Sequence, residues 1–123
     1  YTQAAIVSEM KRNAVPASVD SIPSSAMQED HVSMGWSAAR KLRRNVDGLT
    51  RVLAVEILTA ARAIDMRGGE PGKGTKAVID VLRASVEGPG PDRFLAPDIQ
   101  HTVDLVASGD FVKAASDAVG ELG

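Results

Sequence analysis

Residues 42–64 read Leu42-Arg-Arg-Asn-Val-Asp-Gly-Leu-Thr-Arg-Val-Leu-Ala-Val-Glu-Ile-Leu-Thr-Ala-Ala-Arg-Ala-Ile64. Apolar side chains recur at Leu42, Val46, Leu49, Leu53, Ile57, Ala60 and Ile64, in steps of three and four. Steps of that size keep side chains on one face of an α-helix, since a turn takes about 3.6 residues. Extended to the nearest breakers, the pattern predicts one helix that begins at Ser33 and ends at Met66. It holds about 34 residues and would be roughly 50 Å long at about 1.5 Å per residue. A domain of 123 residues is not that wide, so a helix of this length is expected to find neighbours in other chains. Its first half carries Arg40, Lys41, Arg43 and Arg44 beside the stripe. Residues 52–61 are apolar nearly all round and are expected to be buried on several sides. Glu56 falls within that turn, where a charge needs a partner, and an ion pair with an arginine is expected.

Upstream lies the only long segment without a helical period, Pro16-Ala-Ser-Val-Asp-Ser-Ile-Pro-Ser-Ser-Ala-Met-Gln-Glu-Asp-His-Val-Ser-Met-Gly35. Polar residues dominate it, yet Val19, Ile22, Met27, Val32 and Met34 are spread too evenly for a disordered linker. It reads as an ordered loop, from Pro16 to about Val32, that holds polar side chains in place. Before it, residues 1–14 show helical spacing, with Lys11 and Arg12 near the C-terminal end where cations suit the dipole, and Pro16 stops the run. Asp30 or Ser33 is the expected cap of the long helix.

Three shorter helices are predicted after it. One runs from Thr75 to about Val86, behind the glycine-rich turn at 67–74. Another starts near Pro97 and ends at Gly109. A last one, capped by Asp110, covers residues 111–122. The expected fold is therefore all-α, a long-helix bundle segment in a single domain over residues 1–123.

Composition narrows the function classes. Aromatic residues make up 3%, so the core must be aliphatic and alanine-rich. The net charge of -2 gives no general attraction to nucleic acid or anionic membranes. Cysteine is absent, which removes thiolate chemistry and cysteine-based zinc sites. No apolar run approaches the roughly 18 residues of a membrane span. A cytoplasmic setting is expected, and a chain opening on Tyr1 is expected to be a piece of a longer protein.

Gln28, Glu29, Asp30 and His31 form the concentrated polar set. From chemistry alone the plain reading is a helix N-terminus, where acidic residues meet free amides. A metal site is disfavoured, because Glu29 and His31 are two apart and only His101 adds a further imidazole. No serine sits in a nucleophile-elbow pattern. The segment Gly68-Gly-Glu-Pro-Gly-Lys-Gly-Thr75 is not a phosphate loop, since Gly74 stands where Ser or Thr is needed and Arg67 where the first glycine is needed. The basic group at 40–44 reads as a solvated face or as ion pairs to another subunit.

The stretch at 16–35, followed by Ala38-Ala-Arg-Lys-Leu42, closely resembles the C-terminal third of the aromatic amino acid lyases, specifically those that act on histidine. The resemblance extends to Tyr1-Thr-Gln-Ala-Ala-Ile-Val-Ser-Glu9, Leu53-Ala-Val-Glu-Ile-Leu58 and Asp92-Arg-Phe-Leu-Ala-Pro-Asp98. It implies a mostly helical homotetramer, assembled through the long helix, that eliminates ammonia from L-histidine to give trans-urocanate. It also implies a protein-derived electrophile, a methylidene-imidazolone made from Ala-Ser-Gly. That triplet and its cofactor are expected to be absent from this chain, and the chain alone to be inactive. Glu29 matches the family's glutamate that lines the substrate pocket, with Gln28 and His31 in support. Relatives acting on phenylalanine carry a neutral amide there, so the carboxylate of Glu29 implies histidine: it can accept from an imidazole N–H, and an unmade buried hydrogen bond costs about 1–3 kcal/mol. Met27 departs from the small or amide residue that the family often shows before Gln-Glu-Asp-His. Two other readings stand beside this one, a non-catalytic helical oligomerisation module and a related lyase or aminomutase.

Overall fold

The computed structural model describes residues 1–122. Five α-helices follow one another: α1 (Thr2–Asn13), α2 (Gly35–Arg67), α3 (Lys73–Arg83), α4 (Ala96–Ser108) and α5 (Asp110–Val119). No strand is present among the described residues, and the all-α expectation holds. The predicted long helix is α2, 33 residues from Gly35 to Arg67. It starts two residues after Ser33. Met34 supplies the first accepting carbonyl, to the Ala38 N–H at 3.0 Å, and the Ser33 hydroxyl accepts from the Gly35 N–H at 3.3 Å. Asp30 is left outside the cap.

Contacts divide the chain into two compact units, Tyr1–Leu49 and Thr50–Gly123. In the first, Gly48 lets α1 approach α2 closely. A Cβ at Gly48 would lie 3.0 Å from the Met10 side chain and 3.4 Å from Ile6, tighter than ordinary packing.

In the second unit the core is Ala61, Leu82, Val86 and Phe111, with Ile57, Leu58, Val78, Ile79 and Leu105 packed around it. α3 packs chiefly on α5, and Leu82 is completely buried. α3 is shorter than expected: it begins at Lys73, and Val86 lies just beyond its end while still closing the core. Pro97 sits in the first turn of α4, as its fixed φ favours. Gly109 joins α4 to α5 at φ 82, ψ 8, a left-handed geometry that glycine adopts without a Cβ clash. Gly109 is thus the N-cap of α5, and the Asp110 side chain accepts from the Ser108 hydroxyl at 2.7 Å instead of capping.

Two expectations about α2 are not met within this chain by itself. Residues 52–61 are not enclosed on several sides: Ala54 and Ala61 are buried, but Leu53 is 40% exposed. Leu42, Val46 and Leu49 further up the stripe are 65, 54 and 48% exposed. Glu56 is exposed and forms no ion pair within the chain among the described residues. The core needs only one face of α2, so a side chain on the opposite face keeps its water and requires no counter-ion.

Candidate functional site

The loop between α1 and α2 is ordered by its serines. Ser21 Oγ accepts from the Val32 N–H at 2.7 Å and donates to the Val32 carbonyl at 3.2 Å. Three residues further in, Ser24 and Glu29 form an antiparallel bridge: the Ser24 N–H donates to the Glu29 carbonyl at 2.9 Å, and the Glu29 N–H to the Ser24 carbonyl at 3.3 Å. The two rungs keep one register, so the loop is a short hairpin built from side-chain and main-chain bonds. The rungs satisfy backbone groups that no helix or sheet provides for.

Beyond the inner rung, between Ser24 and Glu29, the chain reverses through Ser25, Ala26 and Met27, all with positive φ, at 53°, 52° and 71°. Left-handed backbone costs a non-glycine residue about 1–2 kcal/mol through the Cβ clash, and three in succession make this turn the most strained segment described. Met27 is thrust outward and is 82% exposed. Strain of this kind persists where surrounding bonds over-determine the backbone, and it clusters at ligand-contacting segments.

Glu29 lies directly after this turn. Its carboxylate is exposed, and Ser24 Oγ donates to Oε2 at 3.1 Å. Gln28 closes the turn, its N–H donating to the Ser25 carbonyl at 3.1 Å, with its side chain exposed. His31 lies instead along a cleft of about 450 Å³, with Asp20, Ser18, Ser33 and the start of α2. Glu29 and Gln28 do not line that cleft. The structure therefore places Glu29 and Gln28 at the hairpin tip and His31 on its flank. Ser21 and Ser24, which hold the loop together, were not singled out by the sequence. Five serines in one loop were the only signal.

A second cleft, of about 90 Å³, lies between Leu58, Arg62, Pro89 and Leu95. Two of its arginines are committed. Arg83 pairs with Asp65 and with the carbonyls of Val86 and Glu87, and Arg93 pairs with Asp98 and with the carbonyls of Glu87 and Gly88. This is a braced corner around Gly88-Pro-Gly-Pro-Asp92, a run of residues that break helices. No group of three or more His, Asp or Glu that could hold a metal occurs among the described residues.

The sequence pattern of the aromatic amino acid lyase family matches residues 1–84, and the chain belongs to that family. It is 63% identical to a histidine ammonia-lyase of Streptomyces avermitilis over 99% of this chain, and 48% identical to one from Gloeobacter violaceus over the same share. The match takes in 24% of each relative, so the chain spans about a quarter of their length. Among solved structures, histidine ammonia-lyase from Trypanosoma cruzi superposes with a TM-score of 0.89 at 39% identity, covering 98% of this chain and 24% of that one. A tyrosine aminomutase from Streptomyces globisporus superposes with a TM-score of 0.89 at 36% identity, covering 99% of this chain and 23% of that one.

The expectation that this chain contains no Ala-Ser-Gly is wrong: Ala107-Ser108-Gly109 is such a triplet. It does not fit the family's electrophile. It lies outside residues 1–84 and forms the junction of α4 and α5, where the Gly109 N–H donates to the Val106 carbonyl at 3.3 Å. The Ser108 hydroxyl is taken up by the Leu105 carbonyl and Asp110. The three residues act as a helix stop, and no chemistry is assigned to them.

Proposed function

We propose that this chain is the C-terminal helical domain of a histidine ammonia-lyase, an enzyme that eliminates ammonia from L-histidine to give trans-urocanate. The observation that carries the reading is Glu29, a carboxylate held at the tip of a strained hairpin, in a chain similar to histidine ammonia-lyases along nearly its whole length. In the complete enzyme Glu29 contacts the substrate, accepting a hydrogen bond from the imidazole N–H or contacting the ammonium group, while Gln28 and His31 support it. The electrophile is supplied by another part of that enzyme, and the 123-residue chain on its own has no lyase activity. Assembly is a homotetramer through α2, a reading supported by the apolar stripe that the chain leaves exposed at Leu42, Val46 and Leu49. No helix among the described residues is long and apolar enough to cross a membrane, and a cytoplasmic location is proposed.

The test is urocanate formation by the complete enzyme carrying this chain, followed by absorbance, with Glu29→Gln as the variant. Histidine turnover should fall far more than thermal stability does. Wild-type kinetics in Glu29→Gln would remove the assigned role. The likeness to tyrosine aminomutase favours a second reading, in which the same loop serves a different aromatic amino acid. Consumption of tyrosine but not histidine, with either ammonia release or formation of an isomeric amino acid, would select it.

A further inference from the structure

The geometry points to Ser24 as the positioning residue for Glu29, a hydroxyl whose task is to hold one carboxylate oxygen and leave the other to the substrate. The inference rests on the reading of Glu29 as a substrate contact. Three observations converge on Ser24. Its Oγ–H donates to Glu29 Oε2 at 3.1 Å, while Oε1 has no partner within the chain among the described residues. Its backbone forms both hydrogen bonds of the bridge to Glu29, so hydroxyl and carboxylate are fixed to the same rung. The intervening turn reaches that rung only by taking Ser25, Ala26 and Met27 through left-handed backbone.

A glutamate on an exposed loop would otherwise sample several rotamers, and ordering it on binding would subtract from affinity. The rung and the hydroxyl remove that freedom in advance. A single oxygen presented at a set position can discriminate an N–H donor from an apolar ring, because an apolar ring would strip water from that acceptor and leave it unpaired, which is costly. Ser24 itself is extended, at φ -137° and ψ 179°. A β-branched residue takes that backbone easily, so threonine can keep the hydroxyl without disturbing the turn.

The experiment compares Ser24→Ala, Ser24→Thr, Glu29→Gln and the double variant Ser24→Ala/Glu29→Gln in the complete enzyme, reading kcat/KM for histidine together with the unfolding midpoint. Loss of one charge-assisted hydrogen bond corresponds to about a tenfold fall in kcat/KM for Ser24→Ala. Ser24→Thr should stay within about twofold of wild type, and Ser24→Ala should have no further effect once Glu29 is Gln. An undiminished effect of Ser24→Ala in the Glu29→Gln background would overturn the inference, because Ser24 would then act on the fold of the turn and not through Glu29. Wild-type activity of Ser24→Ala beside an impaired Glu29→Gln would overturn it too. Wild-type activity of Glu29→Gln would remove the reading of Glu29 itself, and the positioning role with it.

Discussion

Arg83 reaches from the end of α3 to Asp65 near the end of α2, with Nη2 2.5 Å and Nε 3.1 Å from the same carboxylate oxygen, Oδ2. The two side chains are only 20% and 29% exposed, and the remaining guanidinium nitrogen, Nη1, donates to the carbonyls of Val86 and Glu87. One arginine therefore joins two helices and holds the chain where it leaves α3.

Replacing Arg83 tests that geometry. Arg83→Lys keeps the charge but cannot present the planar fork to Asp65 and two carbonyls at once. We expect a loss of about 1–3 kcal/mol for Arg83→Ala and a large part of it for Arg83→Lys, read from urea unfolding midpoints. Equal stability of Arg83→Lys and wild type would show that charge alone matters.

The left-handed turn at 25–27 makes a prediction of opposite sign. Ala26 sits at φ 52°, ψ 42°, where glycine has no Cβ clash. Ala26→Gly is expected to stabilise the chain by up to about 1 kcal/mol, after allowing for the greater freedom of glycine in the unfolded state. Ala26→Val is expected to destabilise it. Thermal unfolding of the three variants checks the order.

Lys113 and Asp117 stand one turn apart on α5, with Nζ 2.8 Å from Oδ2. The hydrogen bond to Asp117 and its charge, with a smaller contribution from Asp110, raise the Lys113 pKa above 10.5. A raised folded-state value means that the pair contributes below the unfolded pKa and is lost as pH rises through the folded one. Side-chain nitrogen NMR of Lys113 should show a titration midpoint above 10.5, and Asp117→Asn should lower it.

Exposure of the α2 stripe predicts self-association of the chain by itself. Sedimentation at rising concentration should show oligomers, and Leu42→Asp with Leu49→Asp should shift them toward monomer, since each buries a charge in an apolar contact. A monodisperse monomer at high concentration would contradict association through this face.

Much of the fold was legible because helical periodicity is a local property. The spacing of Leu42 to Ile64 predicted α2 to within two residues at each end, and Pro97 and Gly109 marked the bounds of α4. Helix ends were less legible. Asp110 has the chemistry of a cap, but the left-handed geometry of Gly109 leaves it the first residue inside the helix. Glu56 misled for a related reason: periodicity says that a turn is apolar all round, whereas only packing says which side is covered.

The loop at 16–35 draws the same line. By itself the sequence determined that this segment is polar and non-helical, and that Glu29 is the carboxylate its resemblance to the lyases singles out, because composition and motif are properties of the chain read in order. Tertiary structure decided that Ser21 meets Val32, that Ser24 meets Glu29, and that Ser25, Ala26 and Met27 turn left-handed between them. No glycine or asparagine marks that turn. It follows from closing two rungs around four residues, and local preference at Ser25 to Met27 is overridden by hydrogen bonds whose partners lie five and eleven positions apart.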